Sequence, residues 1–243
     1  MGEKKFNKYT SAFYPFLHNG IKNFAETNVC RVAANCAGDV ARAIEDDLAP
    51  VCEELVKILI ENCENPEADR DINPPCIAAF ADIALAIGPK FEPLAGSVMT
   101  LLASASQVPS ATDDDDYEMV DYVAEHREAL LDAYIGIFQG MREGAVPGGV
   151  SPAARALTPF VNGIGNFLLI AAKDENAGDD LKRKIVELIG DMVSSVCLPL
   201  LHFVRTTADD YYLTCPPPIY YYLLLCRPSQ WGKRFTRLRT TRS

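Results

Sequence analysis

The sequence predicts an all-α protein in which helix pairs stack side by side into a solenoid. Apolar residues recur at helical spacing along most of the 243 residues, and strand patterns are nearly absent. The second helix of each pair carries an aspartate in a similar setting, and we call Asp39, Asp82, Asp132 and Asp191 the repeat aspartates. They lie 43, 50 and 59 residues apart. Helix pairs recurring every ~40–47 residues are typical of arrays of the HEAT and armadillo type, so we expect about four such pairs.

Each predicted helix has local start or stop signals. The helices span about residues 13–21, 29–44, 48–62, 73–88, 91–106, 117–141, 152–173 and 180–196. Asn65-Pro66 ends the third helix, because proline disfavours helical backbone at the preceding residue. Pro74-Pro75 suits the first turn of the fourth helix, where a missing N–H group costs little. The longer intervals between repeat aspartates contain the acidic run 113–116 and the glycine-rich stretch 144–150, which we interpret as loops.

The repeat pattern stops near residue 198. We therefore predict a HEAT-repeat array over 1–197 and a divergent, disordered tail over 198–243. Three consecutive prolines, Pro216-Pro217-Pro218, exclude a helix at that point of the tail. The last segment, 231–242, is basic and is open to two interpretations, a patch for nucleic acid or membrane and a disordered end without a binding role. We favour the second.

Charge is divided unevenly along the chain. Residues 1–195 carry 16 Lys and Arg against 31 Asp and Glu, a net charge of −15, whereas 196–243 carry 7 against 2, a net charge of +5. A strongly negative array repels nucleic acid and anionic membrane and attracts basic protein segments. We therefore expect a cationic protein partner, no nucleic acid and no membrane.

Five cysteines lie among apolar residues of predicted helices, namely Cys30, Cys36, Cys52, Cys63 and Cys76. None belongs to a Cys-x-x-Cys pair, and no histidine lies at ligand spacing. We predict buried, reduced thiols, which suit a cytosolic or nuclear protein, with no metal and no cofactor. The polar start Met1–Lys8 predicts no secretory signal, and the late apolar run Ile219–Leu225 is too short to span a bilayer.

The sixth predicted helix carries a column of carboxylates at helical spacing. We call Glu118, Asp121, Glu125 and Glu128 the acidic stripe, and Asp132 follows on the same face. Like charges placed in this way repel each other by a few tenths of a kcal/mol per pair, and a basic helix alongside would relieve the repulsion. The stripe is therefore a candidate partner-binding surface, and the alternative is an ordinary solvated face.

Two further groups of acidic residues receive roles. Asp115 and Asp116, at the end of the acidic run, can cap the sixth helix or steer a basic partner. The run lacks the spaced ligands, glycine and closing glutamate of a calcium loop. For the repeat aspartates we predict a structural role, in which they form hydrogen bonds between neighbouring repeats.

Nothing in the sequence indicates catalysis. The three histidines, His18, His126 and His202, are scattered singly, and no Gly-x-Ser-x-Gly elbow is present. The glycine-rich stretch lacks the Gly-Lys-Ser/Thr ending of a phosphate loop. We therefore predict that the protein is not an enzyme.

Several segments resemble the C-terminal part of importin-β (karyopherin-β), the nuclear import receptor. The similarity runs from about residue 4 to residue 197. Its residues are Lys8-Tyr9, Ala12-Phe13, Pro15-Phe16-Leu17, Gly20-Ile21-Lys22-Asn23, Ala81–Gly88, Tyr117–Tyr122 and Ala133–Gly140.

The resemblance implies a function in protein import. In importin-β the second helices of the repeats line the concave face, which wraps the basic importin-β-binding helix of importin-α. The resemblance thus implies that the acidic stripe binds importin-α or basic cargo, in the cytoplasm and nucleus and at the nuclear envelope and its pores. We expect the family's repeats for the GTPase Ran and for pore proteins to be missing from this chain. The alternative is a HEAT scaffold subunit of a multi-protein enzyme complex, which would co-purify with a catalytic subunit.

Overall fold

The helices stack as consecutive pairs, as the sequence predicts. The structure, a computed structural model, describes residues 3–109, 117–142, 152–174 and 178–197. Within these ranges there is no strand. The α-helices are α1 Glu3–Lys22, α2 Thr27–Ile44, α3 Ala49–Glu64, α4 Asn73–Ile87, α5 Glu92–Ala105, α6 Tyr117–Gly140, α7 Pro152–Leu157, α8 Val161–Lys173 and α9 Asp179–Met192.

The helices form two layers. One layer consists of α1, α3, α5 and α7–α8, and we call it the first layer. The other consists of α2, α4, α6 and α9, and we call it the second layer. Each helix of the second layer packs on its neighbours in that layer and on its own partner in the first. The predicted all-α class is therefore confirmed. The division between an array and a tail at residue 198 stays a prediction, because 198–243 lie outside the described residues.

Three predicted helices differ in detail from those observed. The first, predicted to begin at about residue 13, begins at Glu3. The seventh is interrupted by a 3₁₀ turn at Thr158–Phe160. Pro159 explains this break, because proline lacks an N–H donor and its ring clashes with the preceding helical turn. The eighth is α-helical to Met192 and continues as a π-helical turn over Val193–Cys197.

Helix α4 is the central element of the core. It is buried on nearly all sides, because α2 and α6 flank it in the second layer and α3 covers it from the first. The segments Arg70–Ala105 and Arg155–Lys173 are long and apolar enough to cross a membrane by length and composition alone. Of the apolar window in Arg70–Ala105, 61% is buried inside the protein. Packing between helices thus accounts for the apolar character of this segment.

The backbones of helices α4 and α6 lie in direct contact, without large side chains between them. A Cβ atom added to Gly136 would lie 2.5 Å from the Ala81 Cβ atom, and one added to Gly140 would overlap the Ala84 carbonyl group. Small residues one turn apart on both helices therefore allow the close approach. Larger side chains at these points would separate the two helices.

The cysteines are only partly as predicted. Cys30, Cys52 and Cys76 are buried free thiols, but Cys36 and Cys63 are half-buried. Both half-buried residues lie at the border of the apolar helix face, which the spacing of apolar residues does not resolve. Cys30 donates a hydrogen bond to the Ile21 carbonyl oxygen (3.0 Å).

Several polar groups inside the core have partners on other helices or at their ends. Arg127 of α6 forms a buried ion pair with Asp174, which follows α8. The Tyr134 hydroxyl lies 3.0 Å from the Ser106 hydroxyl, and burial raises the pKa of Tyr134 to about 12. His126 is buried, with its Nε2 atom 3.0 Å from the Ala105 carbonyl oxygen. These contacts join α6 to the end of α5 and to the end of α8.

The close approach of α4 and α6 makes a testable prediction. Gly136→Ala should lower the free energy of unfolding by about 1–3 kcal/mol, because the added methyl group overpacks the contact with Ala81. Gly190→Ala in α9 is the matched control, because no atom lies within 4 Å of its added Cβ atom. The control should gain about 0.5–1 kcal/mol from higher helix propensity. Urea unfolding followed by circular dichroism measures both, and equal effects would disprove the close contact.

Burial of His126 predicts a pH dependence of stability. Desolvation lowers the pKa of His126 below its ordinary value of 6.5. The folded protein therefore favours the neutral imidazole of His126. Its contribution to the free energy of unfolding is fully present above pH 6.5. This contribution is lost as the pH falls through the lowered pKa, by at most about 1.4 kcal/mol per pH unit. His126→Gln should flatten this loss in urea unfolding between about pH 8 and pH 5. His18→Gln is the control and should retain it, and a His126→Gln profile like that of the unmodified chain would contradict the prediction.

Candidate functional site

The acidic stripe lies on the solvent side of α6, in the second layer. Its four side chains, Glu118, Asp121, Glu125 and Glu128, are exposed, and Asp132 is half-buried. The opposite side of the helix supplies core residues, among them Val123, Leu131 and Tyr134. The helical spacing thus places the carboxylates and the core on different faces, as the sequence predicts. Asp115 and Asp116 lie outside the described residues.

Two carboxylates of the stripe already have cationic neighbours. Glu125 Oε1 lies 3.5 Å from Arg31 Nη2 of α2, and this pair is largely exposed. Glu128 Oε1 lies 2.7 Å from Lys184 Nζ of α9. The partner-binding role of the stripe stays a prediction, and at these two residues a ligand would meet a carboxylate that already has a cationic neighbour.

Lys184 is shared by two carboxylates of α6. Its Nζ atom also lies 2.8 Å from the Asp132 carboxylate, and its side chain is 18% exposed. Burial alone would lower the pKa of Lys184, but the hydrogen bonds to Asp132 and Glu128 outweigh this effect and raise it. Burial raises the pKa of Asp132, and Lys184 only partly offsets this. The ammonium group thus joins α9 to α6.

Arg70 lies beside the first turns of the stripe. Its guanidinium group is 5.1 Å from the centre of the Tyr122 ring and contacts the Met119 sulfur at 3.6 Å. A cation over an aromatic face is attracted by the ring's quadrupole. The connection between α3 and α4 is therefore held against α6, at the end of the helix that carries Glu118.

The repeat aspartates Asp82 and Asp39 share Arg42. The Arg42 guanidinium donates to Asp82 of α4 and, at 2.5 Å, to Asp39 on its own helix α2. Asp82 also packs on Gly38, where any Cβ atom would overlap its carboxylate. The Asp82 side chain is 19% exposed and that of Asp39 is 71% exposed. Asp82 therefore joins two repeats, whereas the Asp39 contact stays within one helix.

The other two repeat aspartates also contact a neighbouring helix. Asp132 binds Lys184 of α9, as described above. Asp191 of α9 accepts a hydrogen bond of 2.9 Å from Gln139 Nε2 of α6, and Arg142 lies 3.9 Å away. The residue that pairs with the aspartate thus differs from repeat to repeat, from arginine for Asp82 to lysine for Asp132 and glutamine for Asp191. The structural role predicted for the four aspartates stays a proposal, which these contacts support.

Sequence reasoning missed the cationic partners of these carboxylates. Arg42 had a usable signal, because it lies three residues after Asp39 on the same helix. Lys184 belongs to the basic run Lys182-Arg183-Lys184, which is unusual in an acidic array. Arg31 had no signal, because its partner Glu125 lies 94 residues away.

The described residues contain no group of three or more His, Cys, Asp and Glu side chains that could hold a metal ion. His18 Nε2 lies 3.1 Å from Glu54 Oε1, and His126 belongs to the core. Carboxylates and their cationic partners are thus the polar groups of the site, and they are suited to binding a charged surface.

Known proteins resemble most of this chain. A family model described as importin subunit beta-1-like, TPR repeats, matches residues 1–199. The chain belongs to the importin-β family. Importin subunit beta-1 of Arabidopsis thaliana is 32% identical over 191 residues, which are 79% of this chain and 21% of the relative. Importin subunit beta-1 of Schizosaccharomyces pombe is 32% identical over 193 residues, again 79% of this chain and 21% of the relative.

Solved structures agree with this family. Importin beta crystallised in ammonium sulfate superposes with a TM-score of 0.71 at 28% identity, over 91% of this chain and 26% of that one. Kap95p bound to RanGDP gives a TM-score of 0.70 at 26% identity, over 93% and 24%. The Kap95:Nup1 complex gives 0.70 at 26% identity, over 94% and 24%. The predicted HEAT-type solenoid is therefore confirmed.

The family assignment also confirms the resemblance to importin-β. This family consists of nuclear transport receptors and not of enzymes. The chain spans about a fifth of the length of the curated relatives that it matches. Its placement in the C-terminal part of the family stays a prediction, as does the expected lack of Ran and pore-protein sites.

The contacts of Asp82 and Asp39 provide a matched test of the structural role. Asp82→Asn should lower the free energy of unfolding by about 1–3 kcal/mol, because Arg42 loses a charged partner at a half-buried contact between repeats. Asp39→Asn should change it by less than about 0.5 kcal/mol, because an exposed pair within one helix contributes little. Urea titrations of the two variants give the comparison. Equal losses would mean that Asp82 does not join the repeats.

Proposed function

We propose that this chain is part of a nuclear import receptor and that its second layer binds basic helical segments. The ligands would be the basic importin-β-binding segment of importin-α or a basic cargo protein. We expect the protein in the cytoplasm and the nucleus and at the nuclear envelope and its pores. Membership of the importin-β family supports the general role, and the charge of the second layer supports the choice of ligand.

The observation that carries this proposal is the row of exposed carboxylates on α6. The helix rises about 1.5 Å per residue, so the stripe from Glu118 to Glu128 extends over about 15 Å, which is close to three turns of a ligand helix. Within the described parts of the chain, neither Glu118 nor Asp121 forms an ion pair. These two carboxylates are therefore available to a cationic ligand without loss of an internal contact.

The paired carboxylates would contribute differently. Glu125 and Arg31 form a long, exposed contact of 3.5 Å, which contributes little to stability. A ligand cation can replace Arg31 there at small cost. Glu128 is held by the largely buried Lys184, so a ligand would add to that pair and not replace it. We therefore expect Glu118, Asp121 and Glu125 to dominate the charge-dependent affinity.

The charge of the whole array would act at longer range. A net charge of −15 over residues 1–195 attracts basic segments and raises their association rate. Asp115 and Asp116 precede α6 in the sequence, and we expect them to add to the attraction of a basic ligand. Exposed charges are screened beyond about 8–10 Å at ordinary ionic strength, so affinity should fall steeply with added salt.

Charge reversal tests the proposal. Changing Glu118, Asp121, Glu125 and Glu128 to lysine should weaken binding of a synthetic peptide of the importin-α N-terminal segment by at least about tenfold at low salt. It should also flatten the salt dependence. Isothermal titration or fluorescence anisotropy at several salt concentrations measures both effects.

The matched control reverses four exposed glutamates on and after α3, in and beside the first layer. These are Glu53, Glu61, Glu64 and Glu67. This variant has the same net charge as the stripe variant, so a nonspecific charge effect would weaken both equally. Unchanged affinity of the stripe variant at low salt would remove the stripe from the mechanism.

A further inference from the structure

The second layer contains a depression that the acidic stripe does not include. It lies between α2, α4 and α6 and has a volume of about 540 Å³. Its floor consists of small residues from all three helices, namely Ala34, Gly38, Ala78, Ala81 and Gly136. Because these side chains are short, the helices lie close together and their outward ridge is low at this point. The depression is therefore a consequence of the close packing of the layer.

The outward ridge of α4 lines the depression. Ala78, Asp82 and Leu85 follow one another at helical spacing along this ridge. Ala78 offers only a methyl group, whereas Leu85 is 47% exposed despite its apolar side chain. An exposed leucine beside a low, apolar floor is a surface that an apolar ligand group can cover.

The rim of the depression is charged, with an excess of negative groups. Three carboxylates line it, from Asp39, Asp82 and Asp132, but only one guanidinium group, from Arg42. Asp39 lies on the α2 side and Asp132 on the α6 side, so the carboxylates flank the apolar floor. Asp132 also continues the acidic stripe along α6. A ligand lying along the stripe would therefore reach this depression at one end.

We propose that the depression holds one bulky apolar side chain of the basic helical ligand, the size of leucine or phenylalanine. This inference rests on the proposed function and specifies the ligand further. The apolar side chain covers Ala78 and contacts Leu85, while a cationic side chain one turn away on the ligand helix lies near Asp132, where the depression meets the stripe. Residues three and four apart share a helix face, which gives the ligand this arrangement.

The apolar anchor adds what the carboxylates alone lack. Exposed ion pairs contribute little affinity each and are screened by salt. A buried leucine side chain contributes through the apolar area removed from water, and this term does not weaken with added salt. The depression therefore selects among basic helices by the presence of an apolar residue, whereas the stripe selects by charge.

The test uses two synthetic peptides and the full chain. The host peptide is a helix of lysine, arginine and alanine about 20 residues long, which is long enough to form a helix alone. The anchor peptide is identical except for one central leucine. We expect the anchor peptide to bind about tenfold more tightly than the host, and this ratio should persist when salt is raised.

Filling the depression should abolish this advantage. Ala78→Leu places an isobutyl group above the floor from a half-buried position at the edge of the core. The anchor peptide should then bind no more tightly than the host, and host binding should stay unchanged, which also shows that the variant is folded. Ala172→Leu, at an exposed position of α8 in the first layer, is the matched control and should keep the tenfold ratio.

The possible results separate this inference from the proposed function. If neither peptide binds, or if binding is insensitive to reversal of the stripe, the proposed function is wrong. If both bind through the stripe with equal affinity, the ligand is recognised by charge alone and the anchor is overturned. The anchor is also overturned if Ala78→Leu leaves the tenfold ratio intact.

Discussion

The packing of the second layer and the shape of its surface both follow from the close approach of α4 and α6. Gly136 and Gly140 have no side chains, so α6 lies directly on Ala81 and Ala84 of α4. This contact brings the polar edges of both helices into reach of each other and of α2. It also lowers the floor between them, which produces the depression at Ala78. A single requirement for small residues thus determines both packing and surface shape.

Around this contact the layer is held by cations that serve two carboxylates each. Arg42 contacts Asp39 and Asp82, and Lys184 contacts Glu128 and Asp132. One cation for two anions neutralises only half of the negative charge that it touches. The repeats are therefore joined while the second layer keeps an anionic surface. Stability and the proposed attraction of a basic ligand thus share one arrangement, because joining the repeats does not require full neutralisation of their carboxylates.

Membership of the importin-β family gives this surface its biological context. The chain corresponds to about a fifth of the relatives' length. The contacts of such a part can still be described by themselves, because each repeat of a solenoid contacts mainly its neighbours. The contacts described above lie within a repeat, between adjacent repeats or, for Arg31 and Glu125, two repeats apart. The proposed binding surface is likewise local, since the stripe and the depression both involve α6.

The sequence alone determined the helices, their pairing and the exposure of the acidic stripe, because helical periodicity and chain punctuation are local properties. It also determined the family, through segments such as Ala81–Gly88. The three-dimensional packing was needed to show that Arg31 and Lys184 already contact the stripe, and that Asp82 joins two repeats whereas Asp39 does not. These contacts bring together residues 40 to 94 positions apart. Which charged residues form such contacts depends on how closely the helices pack. The spacing between packed helices cannot be inferred from the local sequence.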